Sequence, residues 1–251
     1  FDVMLVDLQD LGCRIYTFIT TLRYVLEAAA RHRKAVWVLD RPNPVGRPIE
    51  GLTLRTGWES FVGAGPLPMR HGLTLGEAGL WFIKTLRLDV EYRVIEMQDW
   101  RPDAAPGFGW PLAERAWVNP SPNAPNLSMA RAYAGTVMLE GTTLSEGRGT
   151  TRPLELFGAP DIDARAVIGE MNSLAPQWLA GCRLRECWFE PTFHKHVGKL
   201  CHGVQIHTDQ PGYDHRAFRP WRIQALAFKA IRRLYRDYPL WRDFAYEYEH
   251  G

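Results

Sequence analysis

The sequence predicts an α/β fold: a mainly parallel sheet over residues 1–150, followed by a smaller α+β region over residues 151–251. Three observations lead there. Within the first forty residues an apolar run (FDVMLVDL), a stretch of helical periodicity (TTLRYVLEAAARHRK) and a second apolar run (AVWVL) follow one another, which is a β-α-β unit whose crossover makes its strands parallel. Beyond Pro153 the pattern changes to a helix, two strand-like runs and a long helix. The chain has 251 residues, 46% hydrophobic and 23% charged, enough for one large or two modest cores and too apolar for disorder.

Residues Asp2–Leu8 carry β-branched valines and read as a buried strand that ends in the polar loop Gln9-Asp10-Leu11-Gly12. In the helix that follows, Leu22, Val25, Leu26 and Ala29 recur at helical spacing, and Arg31, Arg33 and Lys34 gather where the helix dipole favours cations. Ala35–Leu39 is the second strand, closed by Asp40-Arg41-Pro42-Asn43-Pro44, whose prolines forbid further pairing. Parallel strands then bring Asp7, Gln9 and Asp10 to the same sheet edge as Asp40, Arg41 and Asn43, the carboxyl edge where open α/β sheets bind ligands.

Residues 46–72 form a long glycine- and proline-rich excursion ending in Met69-Arg70-His71-Gly72. Thr74-Leu75-Gly76-Glu77 matches a capping box, which assigns Glu77 to the backbone N–H of Thr74 rather than to chemistry. The helix LGEAGLWFIKTLRL follows, then a strand over Tyr92–Met97 and a proline-rich crossing segment in which Asn123, before Ala-Pro, suits a turn. Thr136–Leu139 reads as a buried strand that delivers Glu140 to its carboxyl end. Further on, Ala164–Leu174 reads as a helix, and Arg183–Phe189 and Gly203–Thr208 as strands. Ala217–Tyr235 reads as a helix with Ile223, Leu226, Ala227, Ala230, Ile231 and Leu234 on one face.

Several function classes fall away. A formal net charge of +2 gives no electrostatic case for nucleic acid or an anionic membrane, and no apolar run reaches the length of a membrane span. There is no G-x-G-x-x-G after the first strand and no G-x-x-x-x-G-K-[ST], so no nucleotide cofactor is expected. The four cysteines, Cys13, Cys182, Cys187 and Cys201, form neither a C-x-x-C pair nor a dense framework. His194, His196, Cys201, His202 and His207 lie close together, and His194 and His196 would share one strand face, yet no spacing matches a zinc signature and no metal is expected. Ser145 sits in L-S-E-G rather than G-x-S-x-G, which argues against a serine nucleophile.

What remains is an excess of carboxylates on one sheet edge: Asp7, Asp10, Asp40, Glu140 and Glu146. Glycoside hydrolysis uses such groups, one raised in pKa to protonate the leaving oxygen and another as base, nucleophile or stabiliser of an oxocarbenium-like state. Glu146 stands between Ser145 and Gly147, and Arg148 between Gly147 and Gly149, so the loop backbone is expected to approach a ligand closely while the side chains and the hydroxyls of Thr150 and Thr151 project toward it.

The blocks DLQDLGCRIYTF, VLDRPNPVG, RHGLTLGE, NPSPNAPNL, LEGTTLSEGRGTTRPLEL and PTFHKHVGKLCHGVQIH resemble successive blocks of the NamZ-type exo-β-N-acetylmuramidases, over nearly the whole chain. The longest, E-G-T-x-x-S-E-G-R-G-T-x-x-P, is the most specific. The resemblance implies a Rossmann-like domain beside a smaller C-terminal domain, with a cleft between them. The implied enzyme removes N-acetylmuramic acid from the non-reducing ends of peptidoglycan fragments and is exported to the cell envelope. Carried over residue by residue, it points to Glu146, Glu140 and Asp10 as catalytic candidates. For substrate it points to Arg148, Arg14, Tyr16, Gln9, Arg41, Asn43, Arg70, His71, Asn123, Ser145 and Thr150. The family also carries an earlier P-E-H-G block, whose glutamate is a catalytic-acid candidate and which would precede Phe1, so the chain is expected to be part of a longer protein.

N-acetylmuramic acid bears a lactyl carboxylate, which calls for a forked cation such as Arg14, Arg70 or Arg148. Its 2-acetamido group can itself attack the anomeric carbon, so a substrate-assisted route and a protein nucleophile both stay open. Two competing readings use the same residues. One is an envelope protein that binds muropeptides without cleaving them; the other is an unrelated hydrolase whose carboxylates hold a metal. Turnover separates the first from the glycosidase, and a chelator separates the second.

Overall fold

The structure, a computed structural model, describes residues 1–105 and 107–243. The chain divides into two compact units, Phe1–Ala116 and a second that starts at Trp117. The division thus lies well before residue 150, because Thr136–Leu139 does not add a strand to the first sheet.

The first unit is a three-stranded parallel sheet in the order β1-β2-β3, with β1 at Val3–Val6, β2 at Ala35–Leu39 and β3 at Tyr92–Ile95. Val3 pairs with Ala35 and Val36 with Tyr92. Helix α1 (Phe18–His32) makes the first crossover and α2 (Leu75–Leu86) the second. Their apolar stripes bury Ile19, Leu22, Leu26, Ala78 and Phe82 with Val6, Val36 and Val38 of the sheet. The capping box forms as expected: Thr74 Oγ1 accepts from Glu77 N at 3.2 Å, and Glu77 returns a carboxylate to Thr74 N at 2.9 Å.

The second unit opens with α3 (Leu127–Thr136), followed by a 3₁₀ turn, Val137–Gly141. This overturns the strand expected over Thr136–Leu139. The Asn126 side chain caps the helix by accepting from Met129 N at 2.8 Å. Every residue from Ser128 to Thr136 is buried, the polar Ser128, Arg131 and Thr136 included, so no exposed polar face marks a helical period in this segment. Gly135 lets α3 come so close to the next helix layer that an added Cβ would lie 2.0 Å from the Pro220 carbonyl oxygen.

The second sheet is antiparallel in the order β4-β6-β5, with β4 at Leu156–Ala159, β5 at Arg183–Phe189 and β6 at Cys201–His207. Helices α4 (Ala164–Leu174) and α5 (Pro220–Leu234) complete the unit. Phe157, Val204 and Ile206 of the sheet, Val167 and Met171 of α4, and Ile223, Leu226, Ala227 and Ile231 of α5 share one core. Leu234, expected on that buried face, is 40% exposed at the helix end. No helix among the described residues is long and apolar enough to cross a membrane.

Candidate functional site

In the first unit the loops after β1 and β2 meet at the carboxyl edge, as parallel pairing requires. Arg41 grips Asp7 with two nitrogens, at 2.5 and 2.9 Å. The Gln9 amide donates to the carbonyls of Asp10 and Pro42, each at 2.9 Å. Asn43 spends its side chain on backbone: Oδ1 accepts from Val45 N and Gly46 N at 3.0 and 3.2 Å, and Nδ2 donates to Leu73 O at 3.0 Å. Gly12, at φ +76°, leaves room for that amide, since a Cβ there would lie 2.1 Å from Asn43 Oδ1.

Two arginines expected to face a substrate carboxylate turn inward instead. Arg14 Nη1 donates to Leu52 O and Leu67 O at 2.7 and 2.6 Å. Arg70, 1% exposed, donates from Nη2 to Val45 O and Arg47 O at 2.5 and 2.9 Å. These contacts pin the long 46–72 excursion, which has little secondary structure of its own to satisfy its carbonyls. Asp40 is likewise structural: it accepts from Thr74 Oγ1 at 2.7 Å and from Gly76 N at 2.9 Å, anchoring the start of α2.

Asp10 is different. Its carboxyl is 7% exposed; Oδ2 accepts from Gly12 N at 2.6 Å, and Oδ1 has no hydrogen-bond partner. Burial pushes its pKa up to about 7, against the pull of the Gly12 and Leu11 backbone N–H groups. His71, fully buried, presents Nε2 at 3.8 Å from Asp10 Oδ2. Burial, with the Arg14 guanidinium nearby, pushes the His71 pKa down to about 4. Tyr16 stands half-buried at the same loop, edge-on to Phe18 at 4.8 Å, and burial together with the charge of Asp10 raises its hydroxyl pKa. A carboxyl poised near neutrality is what a general acid needs.

In the second unit Glu140 lies in the 3₁₀ turn after α3, not at a strand end. Glu146 has no exposed side-chain surface, and its Oε2 accepts from Lys195 Nζ at 2.8 Å. Its Oε1 lies 3.2 Å from Arg148 Nε and 3.1 Å from His194 Nδ1. Arg148 also binds the Glu140 carboxylate through Nη2, so one guanidinium joins both acidic candidates. Lys195 completes its coordination with the carbonyls of Leu139 and Leu144, at 2.8 and 3.0 Å, and burial lowers its pKa against the opposing pull of Glu146.

The glycine loop does not leave its backbone open to a ligand at the positions expected. A Cβ at Gly147 would lie 2.7 Å from Leu156 Cδ1, and one at Gly149 would lie 2.7 Å from Phe193 N. Both glycines have positive φ and let this loop pack against the protein's own chain. Ser145 Oγ accepts from Gly147 N at 3.1 Å, and Thr150 Oγ1 donates to Gly147 O at 2.6 Å, so both hydroxyls shape the loop. Asn123 sits in a turn closed by Ala124 N to Ser121 O at 2.9 Å, and the neighbouring Asn126 is the helix cap.

His194 and His196 do not share a strand face. They lie in a turn-rich loop at φ 71° and 56°, which sends His194 to Glu146 and His196 Nε2 to Thr143 O at 2.8 Å. Among the described residues no group of three or more His, Cys, Asp or Glu side chains has the arrangement to hold a metal ion. Lys195 is the member of the Glu146 cluster that the sequence reading passed over. The only local signal was a cation inside the histidine-rich block, 49 residues from its carboxylate.

A family model described as Exo-beta-N-acetylmuramidase NamZ, N-terminal, covers residues 1–128, and one described as Exo-beta-N-acetylmuramidase NamZ, C-terminal, covers residues 131–250. The peptidoglycan beta-N-acetylmuramidase NamZ of Bacillus subtilis (strain 168) is 41% identical over 215 residues, which are 85% of this chain and 50% of that protein. The chain therefore spans half the length of this curated relative. Crystal structures of two DUF1343 family proteins from Bacteroides fragilis NCTC 9343 are also similar. One has a TM-score of 0.85 at 30% identity, covering 95% of this chain and 60% of its own. The other has a TM-score of 0.65 at 27% identity, covering 93% and 67%.

Proposed function

The chain belongs to the exo-β-N-acetylmuramidase NamZ family, and we propose that it is a glycoside hydrolase that releases N-acetylmuramic acid from the non-reducing ends of peptidoglycan fragments. The observation that carries this reading is Asp10, a carboxyl enclosed among polar groups and titrating near neutrality, as proton delivery to a glycosidic oxygen requires. Within the second unit, Glu146 and Glu140 are joined through Arg148.

Arg14 and Arg70 are committed to backbone carbonyls, whereas Arg148 is held by carboxylates and keeps 22% of its side chain exposed. Arg148 is accordingly the arginine we assign to the lactyl carboxylate of the sugar. From the family resemblance we also propose that it acts outside the cytoplasm, in the periplasm or cell envelope or as a secreted protein. No cofactor is invoked.

The test is release of free N-acetylmuramic acid from a disaccharide with that sugar at its non-reducing end. Wild-type chain is expected to turn over, and Asp10→Asn to lose about 10²–10⁴-fold in kcat, the usual contribution of a general acid. Binding of the disaccharide without release by the wild type would favour a non-catalytic muropeptide-binding protein.

A further inference from the structure

We propose that His71 is a positioning residue for Asp10, its neutral ring held ready to donate a hydrogen bond from Nε2 to the carboxylate that Asp10 becomes on giving up its proton. The inference deepens the proposed glycosidase reading and rests on Asp10 as the proton donor.

The geometry has three parts. His71 Nδ1 accepts from Leu73 N at 3.2 Å, which places the ring proton on Nε2. That Nε2 is buried, without a hydrogen-bond partner, and 3.8 Å from Asp10 Oδ2. A hydrogen bond forms at about 3 Å, so a displacement of about 1 Å closes the contact. The remaining donor to Oδ2 is Gly12 N, already at 2.6 Å, with the Leu11 N–H also acting on the carboxyl. A buried polar atom without a partner is costly, and here Asp10 Oδ1 and His71 Nε2 are both left so in neighbouring side chains. A protonated Asp10 does not need the third donor, but an ionised one does. The open contact fits a group that passes between the two states.

The other groups around Asp10 leave His71 as the adjustable donor. Burial raises the Cys13 pKa to about 12 and raises that of Tyr16, so both stay protonated. Arg14 is tied through Nη1 to the carbonyls of Leu52 and Leu67, and its charge opposes a second proton on His71. Arg70 and Glu50, paired in the backbone bridge beside His71, hold its loop in place. His71 therefore acts as a neutral donor, with no proton of its own to lose or gain in the working range.

Two polar substitutions separate the atoms of the ring. His71→Asn keeps an acceptor for Leu73 N and lacks the distal N–H, whereas His71→Gln restores an N–H near the Nε2 position. The carboxylic-acid carbonyl band of Asp10, identified by its loss in Asp10→Asn, is titrated by infrared difference spectroscopy. His71→Asn should raise the Asp10 midpoint, holding the proton about tenfold more tightly, a one-unit shift. His71→Gln should titrate within a few tenths of a unit of wild type, a smaller change on the same scale. The high-pH limb of the rate profile should move with the band, and the loss should fall on kcat while KM stays nearly constant. Equal midpoints in wild type and His71→Asn overturn the proposal, as do equal shifts in both variants, which would mark a packing effect. If the band shifts as expected and the wild type releases no sugar, the reading of Asp10 as the acid fails while the contact itself stands.

Discussion

The two units bury an acidic side chain in opposite ways. In the first, Asp10 meets backbone N–H groups, a neutral histidine and no direct ion-pair partner, and burial raises its pKa to about 7. In the second, Glu146 is more deeply buried but lies within salt-bridge distance of Lys195, Arg148 and His194. Asp10 has no counter-charge to hold it ionised and keeps its proton to near neutrality, whereas Glu146 sits within reach of an ammonium, a guanidinium and an imidazole. A carboxyl raised in this way can serve as a proton donor at neutral pH.

The largest expected effect breaks this comparison from the side of Glu146. Glu146→Ala leaves Lys195 and Arg148 partly buried around a missing charge, and removing one partner of a buried ion pair costs about 3–5 kcal/mol. Urea unfolding measures it. A loss below about 1 kcal/mol, the level of an exposed pair, would show that Glu146 is not the anchor of its loop.

The next effect sharpens the comparison from the side of Asp10, through the pH dependence of stability. Burial raises Asp10 from 3.8 to about 7 and lowers His71 from 6.5 to about 4. Between about pH 4 and 6.5 the folded pair carries one proton, on Asp10, and the unfolded pair carries one, on His71, so their contributions cancel and the wild-type slope from this pair is near zero. Each substitution unmasks the other residue. Asp10→Asn leaves only the depressed histidine, so stability should rise by about 3 kcal/mol as pH climbs through that window. His71→Asn leaves only the raised carboxyl, so stability should fall by about 3 kcal/mol between pH 4 and 7. Thermal or urea unfolding across pH 4–8 checks both, and parallel slopes in the two variants would contradict the assignment of charges.

Elements with punctuated ends were legible in the sequence. Ala35–Leu39, Ala164–Leu174 and Arg183–Phe189 fall where expected, the first stopped by the prolines after Asp40 and the second started by its Asp163 cap. Segments buried on all sides were not. Leu127–Thr136 gave no periodicity to tell a helix from a strand, and Leu156–Ala159, four buried residues including a glycine, passed unnoticed as a strand. Residue type singled out Asp10 and Glu146 as candidates, but the direction of the neighbouring side chains was hidden. Arg14 and Arg70 carry the same fork whether they face a ligand or a carbonyl, and only the folded excursion decides. Lys195 reaches Glu146 through tertiary contact alone, which local spacing does not encode.

The smallest expected effect lies at two helix caps that repeat the contrast on a lesser scale. Thr74 caps α2 and also donates from Oγ1 to Asp40, a carboxyl whose pKa is raised by burial against the pull of that bond. Asn126 caps α3 and donates from Nδ2 to Glu155 at 2.6 Å, a carboxylate that Arg152 also holds at 3.0 Å. Losing either cap should cost about 1 kcal/mol from the helix terminus itself. At Thr74 the substitution to alanine removes the one side-chain donor to Asp40 among the described residues, so the loss should reach about 2 kcal/mol and the Asp40 pKa should rise further. At Asn126 the carboxylate retains its arginine, so Asn126→Ala should stay nearer the cap value. Thr74→Ser, which keeps the hydroxyl, should recover most of the difference in urea unfolding. If Thr74→Ala and Asn126→Ala cost the same, the counter-charge beside Glu155 contributes nothing at this cap, and the contrast between the two units is confined to Asp10 and Glu146.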